Sequence, residues 1–204
     1  RYNSNLSRTT FKGKELFDYL PQFKDWLMCA SIDGTGDIVE FIRKGIVWDE
    51  WLANFKKGLA APGGKDKMLF DLTITGPGMF SIKDLFDLSL ELDVRIETKI
   101  MFAFHPDIIF SPFAWPKHIL TRKIDELLEY MEPIATHKQF TLINTLREMR
   151  NRPSFEEDYP EQFVQGKKNG KGFQDRLDEI RDEKITIADI YKADDELYEW
   201  WTTQ

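Results

Sequence analysis

Residues 26–45 read WLMCASIDGTGDIVEFIRKG, an apolar run followed by an acidic, glycine-spaced turn and then by an arginine. The turn resembles a calcium loop, and that reading can be tested position by position. With Ser31 as the first ligand, Asp33, Thr35 and Asp37 fall at positions three, five and seven, and Gly36 falls at the invariant sixth. The twelfth position requires a bidentate glutamate and holds Ile42 instead, which ends the calcium reading. Trp26–Ile32 reads better as a buried strand than as an incoming helix. The stretch is therefore a strand, a loop and a helix. Ser31, Asp33 and Gly34 sit where the strand spills into its loop, and Arg43 lies on the helix beyond. A guanidinium at that distance can fold back over the loop and bind a carboxylate through two parallel hydrogen bonds. Ordinary pairing of Arg43 with Glu40 or Asp37 is the plainer use of the same residues.

The neighbouring segments repeat the strand–helix order. Arg1–Ser7 reads as a strand remnant and Lys14–Leu20 as a helix. Asp37–Leu59 reads as helix with a break near GIVWDE, Lys67–Thr75 as strand, and IKDLFDLSLEL as a helix capped by Ser81, with Leu85, Leu88 and Leu92 on one face. DVRIETKIMFAF, 93–104, reads as strand from its β-branched and aromatic content. Strands and helices alternating at this spacing predict an α/β fold with parallel strands adjacent in chain order, and loops at the strand C-termini as the working face. After His105-Pro106 the pattern changes. A proline-punctuated crossing segment leads to helices over 117–131 and 134–151, the polar stretch QGKKNGKG, a charged helix over 173–181, and a closing segment capped by Thr186.

Bulk composition sets outer bounds. The 204 residues are enough to bury about two-thirds of the unfolded surface without a disulfide or metal staple. The single cysteine, Cys29, excludes an internal disulfide framework and suits a reducing cytoplasm, the expected location. No apolar stretch approaches the ~20 residues of a membrane span, so a membrane partner is not expected. With 28 Lys and Arg against 35 Asp and Glu the net charge is −7, which argues against coating nucleic acid.

Several segments taken together resemble a known family. RYNSNLS (1–7), ASIDGTGDIVEFIRKG (30–45), WDEWLANFKK (48–57), TITGPGMFSIKDLFDL (73–88), ETKIMFAF (97–104) and SPFAWPKHIL (111–120) are similar, in order, to segments of radical S-adenosylmethionine (SAM) enzymes of the twitch-domain branch. The resemblance implies a partial (β/α)6 TIM-type barrel over residues 1–112, truncated at its N-terminus, with 113–204 as a helical extension. It implies SAM and a [4Fe–4S] cluster as cofactors, and reductive cleavage of SAM to a 5′-deoxyadenosyl radical that abstracts hydrogen from a substrate. Carried over by motif, Ser31 and Arg43 contact the SAM ribose or carboxylate and Asp33 shapes the same turn. Asn5 matches the asparagine of the family's Thr-Asn pair, although Ser4 stands where the threonine is usual. The C-x3-C-x2-C loop that ligates the cluster is absent, as is the GGEP-like segment that holds the SAM amine. The cluster ligands are accordingly expected outside this chain, upstream of Arg1, so that residues 1–204 are a fragment that is inert alone. The substrate, whether peptide, sugar or nucleotide, is not named by any motif.

Other residues have plainer readings. The spacings of His105, His118 and His137 match no zinc pattern, and no metal ligand is expected in this chain. His105, at the end of a strand, is the exception that would face a substrate. Asp71 and Glu97 lie within strands and could do acid–base work or simply pair with Lys99 and Arg95. GPG, 76–78, suits either a ligand approaching the backbone or a tight turn. GKKNGKG reads as a solvated loop, and Tyr198, Trp200 and Trp201 as a terminal helix packed back on the fold. A non-catalytic α/β binding or interaction domain is the alternative to the radical enzyme.

Overall fold

The computed structural model describes residues 1–103, 107–181 and 184–203. Four strands form one parallel sheet: β1 (Tyr2–Ser4), β4 (Met28–Ile32), β5 (Met68–Ile74) and β6 (Arg95–Ile100), adjacent in that order. Between the first two lie a short hairpin, β2 (Thr10–Phe11) and β3 (Lys14–Glu15), and the one-turn helix α1 (Leu16–Tyr19). The helix expected over 14–20 is thus confined to its last turn or so. His105 lies outside the described residues, as does the end of the strand expected to reach residue 104.

Register explains how the sheet divides. Ala30 pairs with Phe70 and Phe70 with Ile96, while Ser31 pairs with Asp71 and Asp71 with Glu97. Partners in a parallel ladder share a face, and successive residues alternate. One face is therefore Met28, Ala30, Ile32, Met68, Phe70, Leu72, Ile96 and Thr98. Helices cover it. Trp51 and Phe55 of α3 (Trp48–Ala60) pack tilted against Phe70 with ring centres 5.7 and 4.7 Å away, and Thr145 of α6 (Phe140–Asn151) hydrogen-bonds Thr98 at 2.6 Å. The opposite face carries Asn3, Cys29, Ser31, Leu69, Asp71, Thr73, Arg95, Glu97 and Lys99. A parallel sheet covered on both sides is apolar on both. This one is apolar on one side and largely polar on the other. Right-handed crossovers between strands taken in chain order place consecutive helices on the same side, which is how such a division arises.

The helix after β4 breaks as expected. α2 (Gly36–Ile42) and α3 are separated at 43–47, and the Glu40 carboxylate accepts the Trp48 amide at 2.9 Å, satisfying an orphan donor at the start of α3. α4 (Ile82–Glu91) follows β5 and buries Ile82, Leu85, Phe86 and Ser89, with Leu88 and Leu92 only partly covered. Ser81 precedes it but its hydroxyl makes no cap. Its backbone is already helical, because a 3-10 turn over Pro77–Ser81 runs directly into α4, whereas a capping residue must be extended.

The second half is α5 (Lys117–Met131), α6, α7 (Phe155–Asp158), α8 (Pro160–Arg181), α9 (Ile187–Tyr191) and α10 (Asp195–Thr202). The helix expected from 134 begins later, after a capping box in which Thr136 and Gln139 bond reciprocally. Thr186 caps α9 as expected, through the same device with Asp189, and Asp194 starts a separate last helix. The solvated loop expected at GKKNGKG is overturned: these residues lie inside α8, a helix of 22 residues. Tertiary packing outweighs glycine's poor helix propensity here. Gly166 faces Ile108, where a Cβ would stand 3.2 Å from the isoleucine methyl, so its lack of a side chain lets α8 seat against the turn at Asp107–Phe110. Buried apolar residues from both halves form one core, and Trp201 packs on Tyr191, which packs on Trp115, at 5.7 and 5.5 Å. No helix among the described residues is long and apolar enough to cross a membrane.

Candidate functional site

Of the residues expected at the site, Asn5 directly follows β1, Ser31 lies near the end of β4, Asp33 follows β4 and Arg43 follows α2. Ser4 pairs with Ala30, the residue before Ser31, and Asp33 begins the loop that leaves β4. Arg43 returns from the end of α2 to the same loop. Its Nε donates to Asp33 Oδ2 at 2.5 Å and its Nη2 to Asp33 Oδ1 at 2.9 Å, with the Asp33 side chain 8 % exposed. A free Arg43 awaiting a ligand carboxylate is therefore not what the chain presents, because Asp33 already fills its fork. Pairing with Glu40 or Asp37 is not seen either. Glu40 is taken by the Trp48 amide, which lowers its pKa most, and by Lys184 at 3.1 Å.

The loop rests on the glycine turn after β5. A Cβ on Gly78 would stand 2.3 Å from the Asp33 carbonyl oxygen and 2.6 Å from Thr75 Oγ1. Close backbone contact between two loops is the use of GPG here. Asn5 turns its carboxamide oxygen to the Ser7 amide and hydroxyl at 3.2 and 2.9 Å, a local turn.

Below this edge, on the polar face, lies a cluster centred on Asp71. Three donors converge on its Oδ2: Lys99 Nζ at 2.8 Å, and Ser31 Oγ and Asn3 Nδ2 at 3.4 Å each. These four residues come from four strands. Glu97 pairs with Arg95 at 3.2 Å. The plainer expectation for both carboxylates, pairing with Lys99 and Arg95, is what the structure has. The convergence of Ser31 and Asn3 on Asp71 was not read from the sequence. It depends on register between strands far apart in the chain, and only the polar interruption of MLFDLTIT signalled it.

Elsewhere, a cavity of about 210 Å³ lined by Lys65, Asp93, Arg95, His137 and Lys138 opens at the N-terminal ends of β5 and β6, the edge opposite Ser31 and Asp33. Its cations are engaged with carboxylates, Lys138 with Asp93 at 2.8 Å and Arg95 with Glu97. His118 Nε2 lies 2.6 Å from Glu196 on the surface. Among the described residues no three His, Cys, Asp or Glu side chains stand together as a metal site. Cys29 is buried and accepts from Arg1 Nε at 2.9 Å. These residues do not fit a [4Fe–4S] cluster, which takes several thiolates. Comparison of the chain with protein-family models, with curated proteins and with solved structures finds no match.

Proposed function

We propose that this chain is the SAM-binding part of a radical SAM enzyme's partial (β/α)6 barrel, with the cluster ligands supplied by residues outside these 204. The observation that supports the reading is the sequentially ordered parallel sheet with Arg43 closed on Asp33 in the loop that leaves the C-terminal end of its second strand. Barrel enzymes work at that edge. Ser31 offers a hydroxyl at the end of its strand. Arg43 fixes the Asp33 turn through its Nε–Nη2 edge, which leaves the Nη1 edge of the guanidinium for a ligand carboxylate. No step of cluster chemistry is assigned to residues of this chain.

The experiment uses the protein at its full native length, reconstituted anaerobically with iron and sulfide and reduced with SAM present. Formation of 5′-deoxyadenosine supports the reading. A protein that takes up no cluster, or that carries one and leaves SAM intact, overturns it. The bidentate closure of Arg43 on Asp33 favours the second reading, a non-catalytic binding or interaction domain. Calorimetry of the same protein with SAM checks the binding half of the proposal, and the absence of any heat of binding favours the second reading.

A further inference from the structure

Asp71 breaks the pattern of its strand. It sits between Phe70 and Leu72 in the middle of a four-stranded parallel sheet, with its side chain 5 % exposed. A buried carboxylate costs several kcal/mol of desolvation, which an apolar residue at the same place avoids. Natural sequences break local rules of this kind chiefly at functional positions. Its hydrogen bonding is also lopsided. Asn3, Ser31 and Lys99 all donate to Oδ2, and no described residue donates to Oδ1. Yet Oδ1 is not a sealed orphan, because the fully buried polar atoms without partners among the described residues are Glu15 Oε1, Trp51 Nε1 and Ser81 Oγ. One oxygen of a nearly buried carboxylate thus keeps an open, solvent-reached lone pair. The cation that pairs with the other is loosely held, since the Lys99 side chain is 50 % exposed and long enough to swing away.

We propose that Asp71 is the receptor for the cationic nitrogen of a small ligand, a substituted primary ammonium, and that Lys99 stands in for that nitrogen in the free protein. Asn3 and Ser31, from the two preceding strands, orient the carboxylate, and their donors hold Oδ2 whether or not Lys99 is present. The ammonium of the ligand takes the Lys99 position and gains Oδ1 as a second acceptor. An alcohol of the same size brings a donor without charge and gains far less, because hydrogen bonds to ionised groups are roughly twice as strong as neutral ones. The inference does not rest on SAM binding. A chain that ignores SAM can satisfy it, and a chain that binds SAM can fail it.

The test is nuclear magnetic resonance on the ¹⁵N-labelled chain, titrated with n-propylammonium chloride and, at matched ionic strength, with n-propanol. Propylammonium is expected to move the Asn3 side-chain amide and the Ser31 backbone amide saturably, and propanol is expected not to. Lys99→Ala removes the competing ammonium and should tighten propylammonium binding by about tenfold or more. Asp71→Asn should abolish it. Lys99→Gln, which keeps a neutral donor beside Asp71, replaces Lys99→Ala if the latter does not fold, with the same direction expected. A response that survives in Asp71→Asn, or equal affinity in wild type and the folded Lys99 variant, overturns the proposal. So does a lack of saturable response in every folded protein.

Discussion

Arg43 closes on Asp33 as a fork, Nε to Oδ2 at 2.5 Å and Nη2 to Oδ1 at 2.9 Å, and so ties the end of α2 to the loop that leaves β4. The Asp33 side chain is 8 % exposed and the Arg43 side chain 28 %. Removing the arginine leaves a mostly buried carboxylate without its cation, which costs more than the pair contributes. Arg43→Ala is expected to lower stability by about 2–3 kcal/mol, read as a fall in the urea midpoint at constant slope. Lys restores part of this because it lacks the planar fork. The double variant with Asp33→Ala should cost less than the sum of the singles, and strict additivity would show the pair to be uncoupled.

Gly78 makes a second, independent tie to the same loop. A methyl group there would stand 2.3 Å from the Asp33 carbonyl, a backbone atom that cannot step aside as a side chain can. Gly78→Ala is expected to cost about 2–3 kcal/mol, at the upper end of overpacking effects. Thermal unfolding checks it. A melting temperature equal to wild type would mean the two loops are not held in contact.

Much of the layout was legible because it depends on local pattern. The strand at Met28–Ile32, the broken helix around residues 43–47, β5 and α5 follow from apolar runs, turn residues and helical periodicity. What failed needed knowledge of distant chain. GKKNGKG carries every local mark of a loop, but Ile108 offers a surface that only a bare helix face can meet. Arg43 was visible at its ten-residue spacing from Asp33, yet Glu40 and Asp37 looked equally available. Glu40 is spent on the Trp48 amide at the start of the next helix. Asp71 and Lys99 were visible as strand residues. Their meeting with Asn3 and Ser31 is a matter of sheet register, which alternation alone does not specify between separate strands.

Tyr191 and Trp115 join the last helices to the crossing segment. Trp115 Nε1 donates to the Tyr191 hydroxyl at 3.0 Å, and both residues are buried. Tyr191→Phe keeps the packing but leaves the indole N–H without an acceptor in an apolar site. The expected loss is about 1–3 kcal/mol, the desolvation penalty of one orphaned donor. Chemical denaturation followed by tryptophan fluorescence reads it, and a variant as stable as wild type would indicate another acceptor for the indole.

Lys167 makes stability depend on pH in an unusual direction. Its ammonium lies 3.6 Å from the centre of the Trp200 ring, and the residue is 4 % exposed. Burial, and then the charge of neighbouring Lys171, pull its pKa down from 10.5 to about 8, against a smaller opposing pull from Glu156. In the unfolded chain the group keeps its ordinary value. Between about pH 8 and 10.5 the unfolded state therefore binds more protons than the folded one, and stability rises with pH across that window. Below pH 8 both states are charged and the cost of burying the ammonium is fully present. Burial pushes the Tyr191 phenol up from 10.0, so above about pH 10 the folded state holds that proton more tightly and stability falls. The clean interval is pH 8–10. Urea unfolding across it should show wild type gaining stability relative to Lys167→Met, which keeps the apolar stem and loses the titrating group. Parallel pH profiles for the two proteins would show that Lys167 titrates normally and that its ammonium is not held in the dry position over Trp200.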